Sequence, residues 1–264
     1  MQRIISSVIG IPLLILVIYF GGRPAFFFLA AVSAGICSIE LKGMFEHAGK
    51  PFTPLLPLAF ILFLLASFYL GRYDLLAFIL FALFPVLFFS AFPRNFSLAY
   101  AVEAAANTLF CILYLSLCMG YLVLIRALDD HGFFVFFVLA VTWSGDTFAF
   151  YIGKSFGKHL LAPGISPKKT IEGAIGGLAG SLIAGLLMRL FFIPALPLIH
   201  CLAVSLLCGA FGQLGDLVES IIKRGLGVKD SGSSIPGHGG FLDRIDGVLF
   251  SGPVFYFYYK IALS

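Results

Sequence analysis

Apolar runs long enough to cross a lipid bilayer follow one another along almost the entire chain, broken only by short clusters of charge, glycine and proline. A spanning helix needs about 20 predominantly apolar residues. Cutting at the clusters gives nine segments: Ile4–Phe20, Ala25–Leu41, Leu55–Leu70, Leu75–Ala91, Ser97–Ile125, Phe133–Gly153, Gly173–Ile193, Leu198–Ser220 and Asp243–Leu263. The expected fold is all-α, a polytopic integral membrane protein of about nine transmembrane helices with a cytoplasm-facing polar site in the C-terminal half. Hydrophobic residues make up 60% of the 264 and charged residues only 11%, against about 25% charged in soluble domains. Water is therefore not the main solvent of this surface. No polar linker separates two cores, so residues 1–264 read as a single membrane domain, with mainly apolar spans in 1–132 and the motifs in 133–264.

Sidedness follows from the basic residues. With the N-terminus inside, Arg3, Lys42, Lys50, Arg94, Lys154, Lys158, Lys168, Lys169, Lys223, Arg224, Lys229 and Arg244 are cytoplasmic, twelve of the seventeen Lys and Arg. Arg23, Arg72, Arg126, Arg189 and Lys260 fall outside, as the positive-inside rule requires. Met1 to Phe20 resembles a signal peptide, but Gly21-Gly22-Arg23-Pro24 offers no small-residue cleavage site, so it reads as the first helix. The five cysteines all lie in apolar segments without zinc-ligand spacing and read as reduced packing residues. A net charge of +4 is too small and dispersed for a nucleic-acid partner.

Two polar segments fall on the expected inner face, Lys154 to Glu172 and Asp216 to Asp246. The second packs five acids and four bases into 31 residues. Asp146, in Trp143-Ser-Gly-Asp146-Thr147, should lie about 10 Å inside its helix; an acid at that depth faces a polar cavity and a partner, unless the helix ends earlier and water reaches it. Asp216, Ser220 and Lys223 share one helix face. Glu219 and Lys223, four apart, suit either a surface ion pair or a site. Asp243 and Asp246 also share a face, and such hard oxygen ligands suit Mg²⁺ held by carboxylates and substrate phosphates, though paired acids also favour a helix start. The run Lys229 to Gly240 permits tight turns and close backbone approach, as a phosphate-binding loop or a flexible connector would. His238 has no companion ligands for zinc. Gly153-Lys154-Ser155 is not a P-loop, because Phe148 stands where that pattern needs glycine. Lys168 and Lys169 can meet anionic groups at the next helix start or simply attract anionic lipid, and Thr170 is placed to cap that helix.

Taken in order, Trp143-Ser-Gly-Asp146-Thr147, Tyr151-Ile-Gly153-Lys154-Ser-Phe-Gly157-Lys158, Ser166-Pro-Lys168-Lys169-Thr170-Ile-Glu172-Gly173, Gly209-Ala-Phe-Gly-Gln-Leu-Gly215-Asp216, Ser220-Ile-Ile-Lys223-Arg224 with Lys229-Asp230-Ser-Gly, Pro236-Gly-His238-Gly-Gly and Asp243-Arg244-Ile-Asp246 resemble the signature of the phosphatidate cytidylyltransferases, the CDP-diacylglycerol synthase family. The match covers the C-terminal half; the first five spans match only in being apolar. Ala149-Phe150, where the family often has Ala-Tyr, is a conservative departure. The resemblance implies condensation of CTP with phosphatidic acid to CDP-diacylglycerol and pyrophosphate in phospholipid biosynthesis, with Mg²⁺ and room for a second cation such as K⁺. It implies metal binding by Asp216, Asp243 and Asp246, and catalytic roles for Asp146, Lys168, Lys169, Lys223 and Lys229. It also implies substrate binding by Ser220, Arg224, His238, Gly239, Gly240 and Arg244. The family is often a homodimer, and short chains of this kind are expected in the bacterial inner membrane. Two rival readings are a transporter, disfavoured because there is no inverted repeat, and a CTP-dependent lipid kinase, disfavoured by the Pro236-to-Asp246 signature.

Overall fold

In lipid every backbone N–H and C=O must be satisfied within the segment, so long apolar runs become helices. The computed structural model describes residues 2–53, 56–90, 97–235, 237 and 239–263, with backbone alone for residues 2–7 and 9; Arg94, Pro236 and His238 lie outside the described residues. Among those described, nine helices form: α1 (Gln2–Phe20), α2 (Gly22–His47), α3 (Leu56–Leu70), α4 (Tyr73–Ser90), α5 (Leu98–Arg126), α6 (Phe133–Phe156), α7 (Ile171–Phe191), α8 (Leu198–Gly225) and α9 (Leu242–Ala262). Each corresponds to one expected apolar segment.

The chain is an all-α membrane protein. Helices α2, α4, α5, α6, α7 and α8 are long and apolar enough to cross a membrane, whereas Gly10–Phe20 of α1 and the whole of α3 are shorter apolar stretches. Along α4, Phe81 is 75% and Phe89 82% exposed, with Phe78 and Phe84 also outward. A row of bare phenyl rings suits acyl chains and would be an aggregation site in water. The segment from Lys154 to Glu172, expected only to be polar, adds a feature of its own: a two-stranded antiparallel hairpin, β1 (Leu160–Ala162) against β2 (Ser166–Thr170), with Leu160 opposite Thr170 and Ala162 opposite Ser166.

Two compact units form, Met1–Leu124 with Gly225–Asp243, and Ile125–Arg224 with Arg244–Ser264. The first has a core of fully buried Leu41, Ile61, Leu64, Leu65, Leu83, Leu87, Ile112 and Leu115. Its α2–α3 connection is tied to α5, where Asn107 donates to the Pro51 carbonyl at 2.9 Å and the Thr53 amide donates to Thr108 Oγ1 at 3.0 Å.

The second unit is held by small residues and hydroxyls, as helices packing in lipid commonly are. Ser181 Oγ of α7 donates to the Val141 carbonyl of α6 at 3.0 Å, and Gln213 Nε2 of α8 donates to the Ala174 carbonyl of α7 at 3.0 Å. Ser251 Oγ of α9 donates to the Cys208 carbonyl of α8 at 2.8 Å and accepts from Thr142 Oγ1 of α6 at 3.0 Å. All five cysteines are free thiols, four of them buried.

Candidate active site

Helices α8 and α9 come together at a glycine. A Cβ on Gly215 would meet the Asp246 carbonyl oxygen at 2.6 Å and Phe250 Cδ2 at 2.8 Å, so only a bare Cα lets the two backbones approach this closely. The next residue, Asp216, and Glu219 one turn on, share a face of α8. Together with Asp246 from the first turns of α9 they form a group in which one carboxylate oxygen from each residue lies within 4.8 Å of the other two. Glu219 is fully buried and Asp246 is 8% exposed. Three carboxylates in such a space repel unless cations offset them, and two lysines are in contact: Lys169 Nζ is 2.6 Å from Asp216 Oδ2, and Lys223 Nζ is 2.6 Å from Glu219 Oε2.

The hairpin explains how Lys169 arrives there. Successive side chains on a strand point to opposite faces, so on β2 Lys169 turns inward to Asp216 while Lys168 stays exposed. The hairpin is fastened where its second strand runs into α7 and just before its first strand begins. Thr170 Oγ1 caps α7 by accepting from the Gly173 amide at 3.1 Å, and Glu172 accepts from the Lys158 and His159 amides at 3.1 and 3.2 Å and pairs with His159 Nδ1 at 2.6 Å. Asp146 of α6, half-buried, interacts electrostatically with Asp216, Asp246 and Lys169. Trp143 on the same helix donates Nε1–H to the Arg244 carbonyl at 3.3 Å.

The glycine-rich connection folds back on itself. Ile235 N donates to the Gly239 carbonyl at 3.0 Å, and Gly237 and Gly239 take φ of +80° and +85°, where side chains are strained. Asp243 holds this loop to the start of α9: its Oδ2 accepts from the Ser231 amide and the Ser231 hydroxyl, each at 3.0 Å, and from the Gly240 amide at 3.2 Å.

The sequence matches the cytidylyltransferase family over residues 1–262. The chain belongs to this family. It is 35% identical over 259 residues to the phosphatidate cytidylyltransferase of Bacillus subtilis (strain 168), covering 97% of this chain and 96% of that one. It is 45% identical over 150 residues to the enzyme of that name from Staphylococcus saprophyticus (57% of each chain). The match to the Staphylococcus aureus (strain COL) protein of the same name is 41% over 171 residues, 65% of this chain and 64% of that one.

For a cytidylyltransferase the placement of the individual residues matters more than the motif. Asp146, Lys169, Asp216, Lys223 and Asp246 are brought into one neighbourhood. Ser220 joins it at the margin, its Oγ 3.5 Å from Asp216 Oδ1. Lys168, Arg224, Lys229 and Arg244 are exposed. Asp243 is engaged by Ser231 and Gly240, and the carboxylate that accompanies Asp216 and Asp246 is Glu219. Gly239 supplies a turn, and the Gly240 amide, expected to be offered to a ligand, is taken by Asp243.

Glu219, read from the sequence only as the partner of Lys223 in an ion pair or a site, also stands three residues after Asp216, the same spacing that drew attention to Asp243 and Asp246, and one acid, Glu40, escaped the sequence reading. Glu40 was legible as a lone carboxylate in the apolar segment Ala25–Leu41; it is 4% exposed and accepts hydrogen bonds from Ser231, Phe241 and Leu242.

Proposed function

We propose that this chain is a phosphatidate cytidylyltransferase, joining CTP to phosphatidic acid to give CDP-diacylglycerol and pyrophosphate. The observation that carries the reading is the group Asp216, Glu219 and Asp246 flanked by Lys169 and Lys223, in a chain whose other surface suits lipid. The full-length likeness to the Bacillus subtilis enzyme of that name supports the choice of substrates.

A lipid phosphate is already anionic, so the reaction needs no side-chain nucleophile. A phosphate oxygen of phosphatidic acid forms a bond to the α-phosphorus of CTP while the bond from that phosphorus to the bridging oxygen of the β-phosphate breaks, and pyrophosphate leaves with the electron pair. The protein's share is alignment and neutralisation of charge. Lys169 and Lys223 can swing from their carboxylates to phosphate oxygens, and exposed Lys168 and Lys229, with Arg224 and Arg244, add positive charge for the triphosphate and lipid headgroup. Asp216, Glu219 and Asp246 offer only hard oxygens with more negative charge than the two lysines offset, a donor set that fits Mg²⁺. A divalent ion held there neutralises charge on the phosphates. Asp146 adds negative charge nearby and helps retain the lysines and the ion.

The same reading has nine spans, an N-terminus and active site on the cytoplasmic side, and a bacterial inner-membrane location. A second cation such as K⁺ and a homodimer rest on the family resemblance alone. His238, outside the described residues, is kept as a substrate contact on the same ground.

Supplying CTP labelled at the α- or the γ-phosphate separates this chemistry from phosphorylation. The reading predicts that α-label enters the lipid phase with phosphatidic acid and Mg²⁺ while γ-label leaves as pyrophosphate. Gamma-label in the lipid would establish a kinase, and no transfer of either label from folded protein would favour a transporter.

A further inference from the structure

Glu40 lies in α2, in the apolar half of the chain that carries none of the motifs, yet all of its hydrogen bonds described above go to the motif-bearing connection. Its Oε1 accepts from the Phe241 amide at 2.7 Å, and its Oε2 from the Leu242 amide at 2.9 Å and, in a hydrogen bond shared with Asp243 Oδ2, from the Ser231 hydroxyl at 3.0 Å. Phe241 and Leu242 are the residue before α9 and its first residue, whose N–H groups have no partner inside the helix and are usually capped by a neighbouring Ser, Thr, Asp or Asn. Here the cap is a carboxylate 202 positions away in the chain. The site is built tightly around it: a Cβ on Gly232 would meet Glu40 Cγ at 2.9 Å, and a Cβ on Gly240 would run into Ser231 Oγ. Asp246 follows Leu242 by four residues, about one turn along the same helix, and Lys229 sits two residues before Ser231.

We propose that Glu40 is a positioning residue for cytidylyl transfer: as a remote cap it fixes where α9 begins and how the Lys229–Gly240 loop closes, and acts through them on nucleotide and metal binding. The inference rests on the function proposed above. An intramembrane acid with a purely structural role would change stability alone. A cap on this loop and helix start must also change the dependence on CTP and Mg²⁺, while leaving the acyl region of the lipid substrate untouched.

Glu40→Gln keeps the shape but leaves one acceptor oxygen for two backbone amides on different sides of the carboxylate, so either rotamer sets an NH₂ against an N–H. In detergent, well below the melting temperature of either protein, the variant is expected to raise the KM for CTP and the half-saturating Mg²⁺ by about tenfold, the worth of one charge-assisted hydrogen bond, with a smaller change in the KM for phosphatidic acid. Amide exchange of a peptide covering residues 231–242 should quicken in the same variant. Ser231→Ala, which removes only the hydroxyl, should shift the same two constants in the same direction by less, and decides the matter if Glu40→Gln does not fold. Wild-type constants in both variants, or a loss of kcat alone in step with the folded fraction, would overturn the role of Glu40. Absence of CDP-lipid from wild-type protein would instead overturn the proposed function.

Discussion

Asp246 is a buried acid whose neighbours are two more acids, and that is a costly arrangement unless a cation completes it. Asp246→Asn is expected to lower kcat at least about a hundredfold, the scale set by removing an electrostatic group from a preorganised site, while the protein stays folded because one repulsion is relieved. Glu219→Gln is expected to do the same. Activity assays beside melting curves check both, and a Glu219→Gln enzyme with wild-type Mg²⁺ dependence would remove that residue from the metal group. Lys50→Ala is the contrasting case. Its ammonium pairs with Glu103 at 2.8 Å on an exposed surface, an interaction contributing under about 1 kcal/mol, so neither activity nor melting temperature should move measurably.

Gly215 decides whether α8 and α9 can present their acids to one another. Gly215→Val would push against the Asp246 carbonyl and Phe250, an overpacking cost of about 1–3 kcal/mol, and the expected result is a lower melting temperature together with a higher Mg²⁺ requirement. Thr170→Ala removes the α7 cap beside the hairpin that carries Lys169, and should cost about 1 kcal/mol, read as a fall in melting temperature. The helices themselves are legible in the sequence, because apolar length is what lipid selects and each expected segment finds its helix. The hairpin from Leu160 to Thr170 is not, because its strands are three and five residues long and no alternation can be read over so short a run. The contacts of Asp243 are hidden for a similar reason: its spacing from Asp246 puts both on one face of an ideal helix, while the loop N–H groups of Ser231 and Gly240 also engage its carboxylate, and loop closure leaves no periodic trace.

The whole molecule joins a water-soluble nucleotide to a lipid, so its polar groups must be reached from water while its acyl-binding surface stays in the bilayer. The expected orientation can be tested with the native thiols nearly silent, since Cys37, Cys111, Cys201 and Cys208 are buried. In sealed cells a cysteine replacing Lys158, on the hairpin side, should resist a membrane-impermeant maleimide, and one replacing Arg72, between α3 and α4, should react. The opposite pattern would invert the topology. The low-charge, apolar N-terminal half conceals its own contribution, because Glu40 is a single acid in a long apolar stretch and its partners lie some two hundred residues away.

The most direct measurement is lipid-phase radioactivity after purified protein in mixed micelles is given phosphatidic acid, α-labelled CTP and a series of Mg²⁺ concentrations, with wild type and Asp246→Asn side by side. The account predicts CDP-lipid from the wild type that rises with Mg²⁺ and vanishes on chelation, and almost none from the variant at any concentration. Equal labelling by the two proteins would contradict the assignment of Asp246 to the metal site, and no labelling by folded wild type would contradict cytidylyl transfer itself.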